Sequence, residues 1–322
     1  MKKTFLIVGD NHLDSKTPLS RLDNYCETGI KELEETLLMA EKFQVDYYIL
    51  LGDIFNRIDV GGECRNQAIE TLASNKGTPW SFKKYATIGN HDIAHNMSFL
   101  YKSAFQTLLS SGVLECRDTI PELPVRFMHF TADLDLRLKS GELEKYNDKI
   151  IFLHASIVDK PMIFDHVLFS DMPLNKSTRL VYSGHIHRKM EVVGSRTADF
   201  YNPGSLGRNS ISSDYEKRKI GVYLMEFDFD TNNYRQKYLE LKSSLPYDQV
   251  FDIESNNKRK MVNRNTELFI DAVTNVNLPD ITTGSLQDDF TLFATKRGVN
   301  KDVIKYAIDE INFTKEGNGT QQ

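Results

Sequence analysis

Polar residues able to do chemistry recur at one kind of place in this sequence, immediately after a short apolar run. Asp10 and His12 follow the run at 5–8, and Asp53 closes Leu51-Gly52-Asp53. Asn90-His91-Asp92 follows Ile88-Gly89, His154 follows residues 150–153, and Gly184-His185-Ile186-His187 follows 180–182. If the runs are strands of a layered α/β fold, the loops at their carboxyl ends converge on one crevice. Residues two apart in extended backbone point the same way, so Asp10 with His12, and His185 with His187, can address one cluster. Glycines at 9, 52, 89 and 184 precede these groups, where the missing Cβ allows close approach.

Asp10, His12, Asp53, Asn90, His154, His185 and His187 offer two carboxylates, four imidazoles and one amide, more donors than one ion takes up. Mixed oxygen and nitrogen donors without thiolate suit manganese, iron, zinc or magnesium over copper(I) or an iron–sulfur cluster. The count fits two divalent ions. A pair roughly 3.5–4 Å apart can hold a bridging hydroxide as nucleophile and clamp phosphoryl oxygens during in-line displacement. A purely structural cluster is disfavoured, because burying so many ionisable groups together is costly without an ion to pair them. His95, His129 and His166 lie outside this ordered set and read as ordinary surface or core histidines.

Brief β-prone runs at 5–8, 47–51, 85–88, 126–130, 150–153 and 180–182 must carry these groups, and helical patterns at 25–43 and 99–109 lie between some of them. Such alternation predicts a layered α/β core with sheets covered by helices. Residues 222–229 and 234–241 alternate at strand period around a Thr231-Asn232-Asn233 turn, a hairpin that closes a domain spanning 1–242. A second, small α+β domain is expected at 243–315, with a strand at 267–273 and a helix at 301–311, before a frayed tail at 316–322.

The chain has 322 residues, 40 % hydrophobic and 26 % charged, with a formal net charge of −5. That composition excludes disordered and fibrous classes and allows one large domain plus a smaller one. No run approaches the ~20 apolar residues of a membrane span, and the N-terminus lacks a cleavage site, which places the chain in the cytoplasm. Cys26, Cys64 and Cys116 are odd in number and show no CxxC spacing, so they are expected as reduced, buried fillers rather than a disulfide or zinc site. Mild acidity argues against nucleic acid only weakly, since bound cations invert the local field.

Taken in order, Asp10-x-His12, Gly52-Asp53, Gly89-Asn90-His91-Asp92, His154 and Gly184-His185-x-His187 resemble the five motifs of the calcineurin-like metallophosphoesterases over roughly residues 1–210. The resemblance implies an α/β/β/α metallophosphoesterase sandwich. It also implies that Asp10, His12, Asp53 and His187 hold one metal, and that Asp53, Asn90, His154 and His185 hold the other, with Asp53 bridging. His91 would contact the phosphate and protonate the leaving oxygen, with Asp92 orienting it.

The start Phe-Leu-Ile-Val-Gly-Asp-x-His-Leu, Leu-Gly-Asp-Ile-Phe, Tyr201-Asn202-Pro203-Gly204-Ser205 and the small C-terminal appendage look like the SbcD-type nuclease subunits of double-strand-break repair, including a bacteriophage version. That resemblance implies a manganese-dependent DNA exonuclease and endonuclease with a capping domain. It implies homodimerisation and an SbcC-type ABC ATPase partner with a coiled coil; no Walker-type loop occurs in this chain. Many relatives carry a histidine three residues after the bridging aspartate, where this sequence has Asn56. Asn56, Arg208 and the basic cluster Lys258, Arg259, Lys260 and Arg264 are the candidate DNA contacts, while Phe200 and Tyr201 read as packing. Two other functions remain open at this point: a phosphatase or phosphodiesterase acting on nucleotides or phosphoproteins, and a DNA-binding scaffold that docks an ATPase.

Overall fold

The computed structural model describes residues 1–194, 198–209, 211, 218–258, 261, 291, 294–296, 298–306 and 308. The chain divides into two compact units, Met1–Phe251 and Asp252–Gln322. The first unit thus runs past the boundary expected at 242. A helical turn at Tyr247–Val250 and Phe251 keep this stretch with the first unit: Tyr247, Val250 and Phe251 are buried, and the Leu22 amide donates to the Val250 carbonyl at 2.9 Å.

The strands are β1 (Lys2–Val8), β2 (Tyr47–Leu50), β3 (Ser74–Asn75), β4 (Thr78–Pro79), β5 (Lys83–Ala86), β6 (Val125–Met128), β7 (Ile150–His154), β8 (Ile157–Val158), β9 (Val167–Leu168), β10 (Leu180–Gly184), β11 (Met190–Val192), β12 (Asp199–Asn202), β13 (Gly221–Asp228) and β14 (Asn233–Glu240). Five of them form one sheet in the order β14-β13-β1-β2-β5, and five form a second in the order β11-β12-β10-β7-β6. In the first sheet β1, β2 and β5 run parallel, and the expected hairpin joins β1 antiparallel through Lys2↔Asp228 to Ile7↔Tyr223. In the second, β6, β7, β10 and β12 run parallel.

Alternation at period two sorts each strand's side chains into different layers. Phe5 and Ile7 of β1 pack with Ile150, Phe152, Leu180 and Tyr182 in a core between the sheets. Leu6 and Val8 face the other way, against Leu33, Leu37 and Ala40 of helix α1 (Tyr25–Lys42), Ala68 and Leu72 of α2 (Gly62–Ala73), and Phe105 and Leu108 of α3 (Ala104–Ser110). On the far side of the second sheet Ile151, Leu153, Val181 and Phe200 meet Leu134 and Leu138 of α4 (Leu134–Lys139). These four layers are the α/β/β/α sandwich, and Phe200 and Tyr201 are packing residues in it.

Two expectations need correction. The helix at 99–109 is two pieces, a 3₁₀ helix at Met97–Lys102 and α3. Ser103 divides them, with extended backbone and a side-chain Oγ that accepts from the Gln106 amide at 3.2 Å, an N-cap that starts a new helix. Cys26 and Cys64 are joined in a disulfide with Cα atoms 6.0 Å apart, leaving Cys116 as the free thiol. The pairing escapes spacing rules because α1 and α2, far apart in sequence, lie side by side. No described helix is long and apolar enough to cross a membrane.

Of the second unit, residues 253–258 and 301–306 are helical. Lys258 is exposed and paired with Glu254 at 2.7 Å. Arg259, Lys260, Arg264, the strand expected at 267–273, the end of the helix expected at 301–311 and the tail at 316–322 lie outside the described residues.

Candidate metal centre

The site forms where the parallel strands of both sheets end. Beyond β1 and β2 the two ligand loops stay paired: the Asn11 and His12 amides donate to Asp53 O at 3.1 and 2.9 Å, Leu13 N to Ile54 O at 2.9 Å, and Asn56 N to Leu13 O at 2.9 Å. This ladder fixes Asp10 and His12 beside Asp53. The second sheet is tied in by the His185 amide, which donates to Asp10 Oδ2 at 3.0 Å, and by His154 Nδ1, which donates to the Leu51 carbonyl at 2.7 Å. Gly52 sits at φ +91° between them, where a Cβ would come 2.5 Å from His154 Nδ1. His12, Asp53 and His185 adopt φ of 51°, 47° and 80°, left-handed backbone that non-glycine residues hold only when their surroundings impose it.

Three overlapping donor groups result: Asp10 with His12 and His187, Asp53 with His154 and His185, and His12 with Asp53 and His91. In the first, His12 Nε2 and His187 Nε2 are 2.8 Å apart and Asp10 Oδ2 lies 3.8 and 3.6 Å from them. In the second, Asn90 Oδ1 lies 3.0 Å from His154 Nε2 and 2.8 Å from His185 Nδ1, and Asp53 Oδ2 is 3.4 Å from His154 Nε2. Asp53 Oδ2 is also 3.7 Å from His12 Nε2. The seven expected ligands therefore come together, and Asp53 stands between the two sets. Their atoms converge as lone-pair donors around two points, which is how residues that hold two divalent cations are arranged.

Electrostatics fit the same reading. Burial pushes His12 well down, His185 to about 3 and His187 to about 4, with Arg218 adding to the last, so these rings are neutral and ready to donate. Burial works to lower His154 as well, but the facing Asp53 carboxylate outweighs it and lifts the imidazole to about 10. Asp53 is held low despite burial, chiefly by His154, while burial and the charge of Asp53 raise Asp10. The Asp53 carboxylate thus favours positive charge beside it, the kind a divalent cation brings.

His91 joins the cluster differently from the ligands. Its amide donates to Asp53 Oδ1 at 2.8 Å and its Nδ1 donates to the Asn56 carbonyl at 2.8 Å, leaving Nε2 for chemistry. The orienting role expected of Asp92 therefore falls to the Asn56 main chain. Asp92, fully buried, instead accepts from the Gly89 amide at 2.9 Å and the Phe55 amide at 3.3 Å, and so clamps the Asp53 loop to the Asn90 loop.

Two of the candidate DNA contacts hold partners within the protein. Asn56 Nδ2 donates to Asp14 Oδ2 at 3.0 Å, beside the Arg57–Asp14 ion pair. Arg208 is buried, with Nη2 donating to the Arg218 carbonyl at 2.9 Å. Asp14, Arg57 and Arg218 support the ligand loops and were not anticipated: Arg218 acts through main-chain carbonyls, and the Arg57–Asp14 ion pair joins side chains of separate loops, neither of which a spacing rule encodes. Asp14, two residues past His12, was the visible signal.

Residues 3–189 match the family model of the calcineurin-like phosphoesterases, and the chain belongs to that family of metal-dependent hydrolases, which use two divalent metals. Its fold is similar to the crystal structure of a dimetal phosphatase from Danio rerio, with a TM-score of 0.50 at 12 % identity over 74 % of this chain and 96 % of that one. The structure of TT1561 from Thermus thermophilus matches with a TM-score of 0.43 at 12 % identity, over 74 % of this chain and 99 % of that one. No curated protein sequence matches the chain.

Proposed function

We propose that this protein hydrolyses DNA phosphodiesters as the nuclease subunit of an SbcCD-like complex. The observation that carries the hydrolytic part is Asp53, whose carboxylate lies within 3.4 Å of His154 and 3.7 Å of His12 and so serves both donor sets. Asp10, His12, Asp53 and His187 would hold one cation, and Asp53, Asn90, His154 and His185 the other, with manganese the expected metal. When bound, the pair supplies Lewis acidity and lowers the pKa of water. His91, fixed through Nδ1, holds a proton at Nε2 for the leaving sugar oxygen and stabilises charge that develops on the phosphate. Asp92 keeps the two loops that carry Asp53 and His91 in register.

DNA as substrate, an SbcC-type ATPase partner, a homodimer and a DNA-binding second unit are supported by the sequence resemblance. A second reading, a phosphatase or phosphodiesterase acting on nucleotides or phosphoproteins, is supported by the likeness in fold to a dimetal phosphatase. End-labelled linear duplex DNA incubated with the protein and manganese, with and without chelator and beside a chromogenic phosphodiester, separates the two. Chelator-sensitive shortening of the DNA is the expected result, and cleavage of the small ester alone would assign the second reading.

A further inference from the structure

We infer that Arg218 is a positioning residue for His187, acting through the main chain as the last link in a chain of three arginines; the inference rests on the metal-binding reading of the site. Arg21 Nη1 donates to the Arg208 carbonyl at 2.6 Å, Arg208 Nη2 donates to the Arg218 carbonyl at 2.9 Å, and Arg218 Nη1 donates to the His187 carbonyl. Arg218 Nη2 donates to Ser205 O at 2.6 Å and to Ser205 Oγ at 3.2 Å. One planar guanidinium therefore joins the ligand loop to the turn that follows β12.

That turn is shaped for the task. The Ser205 amide donates to the His187 carbonyl at 3.2 Å, and Asn202 Nδ2 donates to the Ile186 carbonyl at 2.9 Å. Gly204, at φ +76°, passes so close that a Cβ would lie 2.8 Å from His187 O and 3.1 Å from Arg218 Nη1. The Asn202-Pro203-Gly204-Ser205 motif and Arg218 together take up the carbonyls that β10 leaves unpaired as it gives way to the ligand loop. An arginine suits this place because its charge is permanent and its donors lie in a rigid fork. Burial strengthens such charge-assisted bonds, and Arg21 and Arg208 are buried. Asp23, bound to Arg21 at 2.6 Å, supplies countercharge, and the three arginines offset part of the burial that raises the Glu32 carboxyl of α1 to about 7.

The test titrates chelator-treated wild type, R218A, R218K, H187A and the H187A/R218A double variant with manganese by calorimetry, and records each melting temperature in chelator. R218A is expected to weaken one of the two binding events by roughly 10–100-fold, the usual effect of removing a group that orients a ligand. R218K recovers part of the loss, since one ammonium can reach a single carbonyl, and R218A adds nothing in the H187A background. If R218A does not fold, R218K and its cycle with H187A make the same comparison. Wild-type affinity in R218A, or a loss that persists undiminished without His187, overturns the inference alone. A wild-type protein that takes up no manganese overturns the metal reading and this inference with it.

Discussion

His91 Nδ1 donates to the carbonyl of Asn56 at 2.8 Å, so the ring is held by the backbone of the loop that carries Asp53. Any side chain at position 56 leaves that bond in place. This bears on the position where the resemblance leads one to expect a histidine: the His91 ring proposed as proton donor is anchored without one. His91→Ala should lower kcat on a chromogenic phosphodiester by roughly 10²–10⁴-fold, the range for a lost general acid, with manganese stoichiometry unchanged. Asn56→Ala should cost far less, since its side-chain amide is turned to Asp14. Loss of metal in the His91 variant would make it a ligand instead.

Asp53→Asn and Asp10→Asn should abolish turnover and reduce bound manganese, measured by elemental analysis after gel filtration. Asp53 serves both donor sets and Asp10 only one. Asp53→Asn should therefore lose both ions where Asp10→Asn retains one. Wild-type turnover by either variant at equal metal would refute the assignment.

Metal uptake should release a proton. His154 is lifted to about 10 by Asp53 and gives up the proton on Nε2 to become a ligand, so affinity rises with pH. Calorimetric titrations at pH 8 in two buffers of different ionisation enthalpy should differ by about one proton per protein. Identical heats would mean that His154 is already neutral.

Glu142 provides a pH test remote from the site. Hydrogen bonds from Lys145, Tyr146 and Arg137 pull its carboxyl from 4.5 down to about 2. Because the folded value is the lower one, the stabilisation is present above pH 4.5 and fades as pH falls towards 2. Glu142→Gln should unfold at lower urea than wild type at pH 7, and the gap should close near pH 2. A constant gap would trace the effect to packing.

The Cys26–Cys64 disulfide closes a 38-residue separation, for which chain entropy gives about 4 kcal/mol. Denaturant unfolding with and without a dithiol reductant should differ by that order. Cys26→Ser should behave like reduced wild type, and no difference in either comparison would count against the bond.

The candidate metal-binding cluster was legible in the sequence because its members follow closely on apolar runs, and strand ends converge by topology. What escaped notice acts through the main chain or across the fold. Asn56 works by its carbonyl, Arg218 by reaching other residues' carbonyls, and Asp92 by accepting two amides, none of which side-chain spacing can disclose. The uniformly apolar run at 5–8 marked a buried strand without showing that Phe5 and Ile7 face one layer and Leu6 and Val8 the other, and the break at Ser103 turned on one capping hydroxyl. The cysteine pair depended on which helices become neighbours, a property of the finished sheet order.

That sheet order also governs how the chain can be born. β1 lies between β2 and β13, so the first strand synthesised gains one partner early and the other only when residues 221–228 emerge. Until then a ribosome-bound nascent chain presents one side of β1 as an open edge, with Asp10 and His12 at its end. The late hairpin acts as a latch on vectorial synthesis: a message truncated before residue 221 would yield a chain with all seven candidate ligands and an unguarded strand, fit for aggregation or for capture by a chaperone.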